Sequence, residues 1–469
     1  MDESVGNQDD DSTDVNKQSG PLVVEIVPDG DVILDVTFNT SKETLKLAKK
    51  AAQSLSARKP ATATAHVLKP QVRVAYRVKV AVLKQHSVYF QNLLSDTRFI
   101  EGRTVVETLE KLSLRGIRPE KADVSDLPWL KIVDDDEATR SAGREAAFGD
   151  LMRMLHGVDT VARTQNMHSV AVLAVLADRF DCLPPVSRYI FGRLAFKWTP
   201  DRRIARDGER ASSAQEETVR QKILVSWLLN RPPNFHASTR ELIMTGSNRW
   251  SYQEPESFVP RAMWWDLQDD IERELQFRRD CILATIASVP SHFLKLYTSR
   301  TRQCRLGYDS SAACDSYQLG EMVKFLTRSH LLYLVDFSPS SMDQVPDTAV
   351  QDISEIISAL KQCSSYQIDK NHTNCGLRTR MLPILQYIEA CLGQHCIGLT
   401  HQTWAKDRES ASWFVEVDTV ERKGVTKKPF RFTRAMSGDP RLRFPDALGS
   451  ANLARAVFTA SSWDWTPEE

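Results

Sequence analysis

Apolar and polar residues alternate through residues 72–80. Val72, Val74, Tyr76, Val78 and Val80 take one side, with Arg73, Arg77 and Lys79 between them, the period-2 pattern of a half-buried strand. The period then lengthens: Val82, His86, Phe90 and Leu94 stand four apart, flanked by Leu83, Tyr89 and Leu93. That spacing predicts a helix from about Ala81 with a broad apolar face. Upstream, residues 22–38 hold two apolar segments divided by Pro28-Asp29-Gly30, a turn signal, and the second reads as a strand. Residues 41–70, rich in Lys, Ala, Ser and Thr, read as an exposed, mobile insertion that is helical over 44–55. A short strand is expected at 129–133. The acidic run Asp134-Asp135-Asp136-Glu137 leads toward a helix, whose N-terminus favours negative charge. Phe148, Leu151, Met152 and Leu155 make one helix face, closed by Gly157. Val170, Leu173, Ala174, Ala177 and Phe180 make a second, and Pro184-Pro185 open a third with Val186, Ile190 and Leu194 inward.

Beyond Trp198 the pattern is helical. A polar linker over 199–214 precedes an expected α-helical domain over 215–405. Its first helix carries Arg220, Ile223, Leu224, Trp227 and Leu228 on one side, and a break follows at Arg231-Pro232-Pro233-Asn234. Trp264, Ile271, Leu275, Ile282, Ile286 and Val289 define a long amphipathic helix that Pro290 is expected to end. Leu319, Met322, Val323 and Leu326 predict another helix, and Ile353, Ile356, Ile357 and Leu360 one more. Alternation returns at 412–420, which predicts a strand or hairpin within a segment, 406–469, that otherwise reads as a loose tail. Trp463 and Trp465, between acidic neighbours, read there as a free end or a docking peptide. Residues 1–21 are acidic, lack apolar content and read as disordered.

Composition narrows the function. Lys+Arg and Asp+Glu are both 61, so no net field draws the chain to nucleic acid or anionic lipid, and Arg300, Arg302 and Arg305 are too interleaved with polar residues to make a basic patch. No apolar run reaches membrane-spanning length, and the N-terminus lacks the features of a secretory signal. An intracellular protein of cytoplasm or nucleus is expected, its 8 cysteines reduced. The glycosylation triplets at Asn39 and Asn371 are then accidental.

No nucleophile elbow, phosphate loop, HExxH or CxxC occurs, so no enzyme activity is expected. One cluster is dense: Cys363, His372, Cys375, Cys391, His395, Cys396 and His401. Zinc takes four such ligands, and His372-x2-Cys375 with Cys391-x3-His395 supply two pairs. Against zinc stands the usual fate of free cysteine, burial as a small apolar residue, and spacings that fit no standard finger. His86 and His156, on apolar faces, read as core or rim histidines.

Tyr76, Leu83, Ser87 and Phe90 resemble the F-x-x-H-[KR]-x-x-L-x-x-x-S-x-x-F segment of the BTB/POZ family, with Lys79 and Val80 replacing its histidine and basic residue. Gly30, Asp31, Val32, Leu34 and Val36 resemble its opening G-D-V-x-L-x-V strand. Phe99-x-Glu101-Gly102, Asp134-Asp135-Asp136, Leu155-His156-Gly157 and the run from Leu173 through Asp178-Arg179-Phe180-Asp181-Cys182 resemble, in order, the version found in filamentous fungi. Cys304, Cys314-Asp315-Ser316, Leu319-Gly320 and His372-x2-Cys375 resemble the helical region that follows it there. The resemblance implies an α+β fold over 22–198, a small, antiparallel-rich sheet backed by the helix from Ala81, followed by a mostly α-helical domain. It implies a protein interaction module without chemistry. It also implies a charged dimer pocket of Asp31 with the residue at position 80; because that residue is Val80, a monomer or weak dimer is expected. In cullin-binding members an apolar residue, any residue and a glutamate touch the cullin, a pattern that Phe99-Ile100-Glu101 matches. A substrate adaptor of a cullin-based ubiquitin ligase is therefore the competing expectation, and a zinc-stabilised interaction protein is compatible with both.

Overall fold

The computed structural model describes residues 21–56, 68–161, 165–198, 213–248, 250, 261–335, 350–372, 375–393, 396–414, 428–442 and 449–466. The expected disordered N-terminus and residues 415–420 of the expected C-terminal hairpin lie outside them; residues 412–414 are not in a strand. The fold is mixed and mostly helical. It divides into two compact units, one from residues 1–136, 141–163 and 179–185, the other from 137–140, 164–178 and 186–469.

The first unit is built on a sheet of β1 (Leu22–Glu25), β2 (Val32–Asn39), β3 (Gln71–Val78) and β4 (Trp129–Asp134) in the order β1-β3-β2-β4. Only β2 and β3 pair antiparallel; β1 with β3 and β2 with β4 are parallel. The antiparallel-rich sheet expected from sequence is corrected accordingly, for two reasons. Pro28-Asp29-Gly30 turns the chain but closes no hairpin, because the end of β3 lies between its arms: Ile26 N–H donates to the Arg77 carbonyl (3.2 Å) and Asp31 N–H to that of Val78 (3.0 Å). A Cβ on Gly30 would sit 2.8 Å from Arg77 Cγ and 2.9 Å from the Val78 backbone, so only glycine fits. β4, in turn, runs opposite to β3, the strand before it in sequence, and pairs parallel with β2, which lies between the two in the sheet.

β3 is also not half-buried: toward its end Ala75 and Arg77 are as enclosed as Val74, Tyr76 and Val78. On one face Phe38, Tyr76, Phe148, Phe180 and Phe90 form a chain of ring contacts with centroids 5.1–5.8 Å apart. On the other, Ile33 and Ala75 pack with Leu112, Ala122 and Leu127. The second cover comes from residues between the expected elements, which period counting cannot assign to a face. Each large apolar side chain removed from water contributes about 1.5–3 kcal/mol.

Helix α1 (Lys42–Ser56) occupies the start of the insertion, with Thr44 and Leu45 buried. The single helix expected from Ala81 is two, α2 (Val80–His86) and α3 (Val88–Ser95), broken at Ser87 (φ −136°, ψ 119°). Ser87 justifies the break by satisfying three groups: its N–H donates to Leu83 O (2.9 Å), its Oγ accepts from Phe90 N–H (3.0 Å), and its hydroxyl donates to Phe180 O (2.6 Å). The inward set is then Val80, Leu83, Phe90 and Leu94; of the four-spaced row Phe90 and Leu94 are buried, and Val82 and His86 are only half-buried. α4 (Ile100–Leu114) and α5 (Arg144–Leu155) complete the unit's described helices, apart from the start of α7 (Leu183–Arg188).

α6 (Met167–Arg179) is buried almost all round, and its residues up to Asp178 belong to the second unit; the division therefore does not fall at 198. His168 holds it there, its ring edge-on to Trp264 (5.5 Å) and its Nδ1 3.2 Å from Gln221 Nε2. The second unit continues with α8 (Ser213–Leu228), α9 (Pro232–Thr245), α10 (Ile271–Thr298), α11 (Ser311–Arg328), α12 (Ile353–Lys361), α13 (Leu377–Cys391), α14 (His401–Lys406), α15 (Arg408–Ala411) and α16 (Ser450–Phe458). Pro232-Pro233 open α9, and Pro290 lies inside α10 instead of ending it. The helix survives its proline because the buried face resumes at Phe293 and Tyr297, and that packing offsets a cost of about 3 kcal/mol.

Three fully enclosed arginines tie the helices together. Arg220 binds Glu216 (3.0 Å), Glu272 (3.0 Å) and Ser247 (2.9 Å). Arg278 pairs with Glu274 (2.7 Å) and donates to Ile397 O (2.9 Å), Gly398 O (3.1 Å) and Ala411 O (2.8 Å). Arg279 donates to Ile243 O (2.7 Å) and to Gln351 O. The C-terminal segment is not loose where it is described. β5 (Phe430–Arg431) pairs with β6 (Trp463–Asp464), Trp465 is 0% exposed, and its indole donates to Ser288 Oγ (2.8 Å). Among the described residues, no helix is long and apolar enough to cross a membrane.

Candidate functional site

Phe99 is the residue before α4, and Ile100 and Glu101 are its first two residues. Gly102 sets this turn against α3, since a Cβ there would meet Asp96 O at 2.5 Å and Leu93 O at 3.1 Å. The apolar pair faces outward, Phe99 47% and Ile100 75% exposed. Val88 and Tyr89, at the start of α3, are exposed as well. Burial, and then the negative charge of Glu101, raise the Tyr89 phenol above its usual range. Isolated exposed apolar residues are common, but large ones grouped around a carboxylate make a surface suited to a protein partner.

Asp31 and Val80 do meet, although not as a charged pocket. The Asp31 carboxylate accepts the Val80 backbone N–H (2.7 Å) and so caps α2, while Lys79 pairs with Asp29. Burial raises the Asp31 carboxyl above its usual value.

The Cys and His cluster is regrouped. Of the expected zinc set, His372 and Cys375 both lie in the loop before α13 and each comes near Cys304; Cys391 is enclosed at the far end of α13 and His395 lies outside the described residues. The partners of His372 and Cys375 are instead Cys304, in the loop after α10, and Cys314, in the first turn of α11. Cys304 Sγ lies 3.7 Å from Cys375 Sγ, and the ligand atoms of Cys304, Cys314 and His372 lie within 4.8 Å of one another. Cys304, Cys314 and His372 are buried, and Cys375 is half-buried.

The surroundings hold these side chains in place. Asp369 Oδ1 stands 2.9 Å from His372 Nδ1, leaving Nε2 turned inward with Ser310 Oγ at 3.4 Å. That carboxylate holds His372 above the ordinary imidazole value. Asp315 accepts the N–H groups of Gln303 and Cys304, both at 2.8 Å. Gln318 fixes the other loop, donating to Tyr366 O (2.8 Å) and accepting from Leu377 N–H (3.2 Å). Burial pushes Cys314 up to about 12, with its neighbouring sulfurs adding to the effect. Burial also acts to raise Cys304, but hydrogen bonding with Ser311, the Leu306 backbone and the adjacent thiols brings it below the ordinary thiol value. The other candidates serve packing. His401 lies against Trp227 and Phe235, and Cys363 is buried. His156 takes the Lys79 N–H on Nε2 (3.1 Å), with Nδ1 2.8 Å from Met152 O.

Local density in the sequence pointed to Cys391 and His395; the spatial partners lie about sixty residues upstream of His372 and Cys375, beyond the reach of any short spacing rule. No family model, curated protein or solved structure matches the chain.

Proposed function

We propose that the chain is a protein interaction module of the BTB/POZ type, acting without chemistry of its own and presenting the surface of Phe99, Ile100 and Glu101. The observation that carries the reading is that several of the family-like motifs meet within the first unit. Asp134 receives Arg144 (2.7 Å) and Arg179 (2.5 Å), and Asp136 receives Ser41 (2.8 Å). Ser87 and Val88 bond to the carbonyls of Phe180 and Asp181, and His156 bonds to Lys79. Side chains that resemble the family's pattern in sequence are thus the ones that close this unit on itself. The use of Asp31 as an internal cap supports a monomer or weak dimer, and a tight dimer at low micromolar concentration, seen by light scattering, would overturn that part.

A second reading, the substrate adaptor of a cullin-based ubiquitin ligase, is favoured by one observation: the apolar-x-Glu pattern of residues 99–101 sits on an exposed helix start. Affinity purification separates the two. A Phe99→Ala, Glu101→Ala double variant that remains folded is expected to lose the partners of the parent chain. Equal recovery from both refutes this surface, and a partner set lacking a cullin retains the interaction module while removing the adaptor.

A further inference from the structure

We propose that Cys304, Cys314, His372 and Cys375 form a closed, four-ligand structural zinc site that staples the loop after α10 and the first turn of α11 to the loop before α13. The site lies wholly within the second unit and does not depend on the interaction surface.

Geometry is the first support. Ligands about 2.3 Å from a tetrahedral zinc stand about 3.8 Å from one another, and the Cys304 and Cys375 sulfurs are 3.7 Å apart. A disulfide between them would need about 2.05 Å. The histidine is the second. His372 is buried, with Nδ1 directed to the Asp369 carboxylate and Nε2 directed inward, the carboxylate–histidine arrangement that fixes the tautomer for a metal ligand. The thiolates have support of their own. The Cys304 sulfur lies 3.4 Å from Ser311 Oγ, a hydroxyl that donates to a thiolate there. Zinc entry displaces the thiol protons of three cysteines to solvent and leaves a site of net charge −1. The Arg380 guanidinium, whose charge is felt at Cys375 and which donates to Gln303 Oε1 (3.1 Å), offsets it. Three sulfurs and one imidazole in a tetrahedron select zinc over oxygen-seeking cations, and with four protein ligands no position remains for catalysis.

The test uses the full chain purified without chelator. Metal analysis is expected to find about one zinc per chain, and cobalt exchanged into the site should give tetrahedral bands with thiolate charge transfer. Cys314→Ala should drop the zinc below about a tenth of an equivalent, whereas Cys391→Ala should keep all of it. Because Cys314→Ala alone can fail to fold, His372→Cys supplies the second arm: it should retain zinc and shift the cobalt spectrum toward four sulfurs. Metal-free parent protein with all thiols titratable, a Cys304–Cys375 disulfide, or zinc lost through Cys391→Ala would each overturn the proposal.

Discussion

The two units solve the same problem, closing a core over polar groups, in different ways. In the first, a buried carboxylate beside the sheet has two cationic partners: Asp134 holds both Arg144 and Arg179, and Arg144 also donates to Ser141 O (2.7 Å) and Asn39 O (2.8 Å). In the second, single arginines bridge segments far apart in sequence, and Arg220 pairs with both Glu216 and Glu272. A sheet provides a lattice of backbone bonds that fixes its neighbours. Helices satisfy their own backbone and offer no such lattice, so the helical unit relies on side chains for its long-range registration.

That contrast can be broken by substitution. The largest loss is expected for Arg220→Met, which takes the arginine away from two buried carboxylates and should cost about 3–5 kcal/mol in urea unfolding. Arg144→Met should cost less, about 1–3 kcal/mol, because Arg179 still meets Asp134. Equal losses would remove the claim of redundancy in the first unit. Ser87→Ala strips the α3 cap and leaves Phe180 O without its donor, for about 1–2 kcal/mol; a smaller change would mean that water replaces the hydroxyl.

Acidification should have the smallest effect, read through one histidine of the first unit and two of the second. Burial holds His156, His168 and His292 below the ordinary imidazole value. The unfolded chain therefore binds more protons below about pH 6.5, and the stability these neutral rings give is lost as pH falls through the lowered values. His156→Gln should flatten its share of that slope in denaturant midpoints measured across the range. An unchanged slope would show that the ring is not held neutral.

The sequence by itself determined which segments are regular and which faces are apolar. Ile353, Ile356, Ile357 and Leu360 are all buried as their spacing requires, and the strand at 129–133 is β4, because hydrophobic period is a local property of the chain. Tertiary structure decided the rest. It placed β3 inside the Pro28-Asp29-Gly30 turn, carried α10 through Pro290, enclosed Trp465 and chose Cys304 and Cys314 over Cys391 to meet His372. Each of these outcomes is set by a partner remote in sequence, and no local pattern encodes which distant surface will arrive to satisfy a buried group.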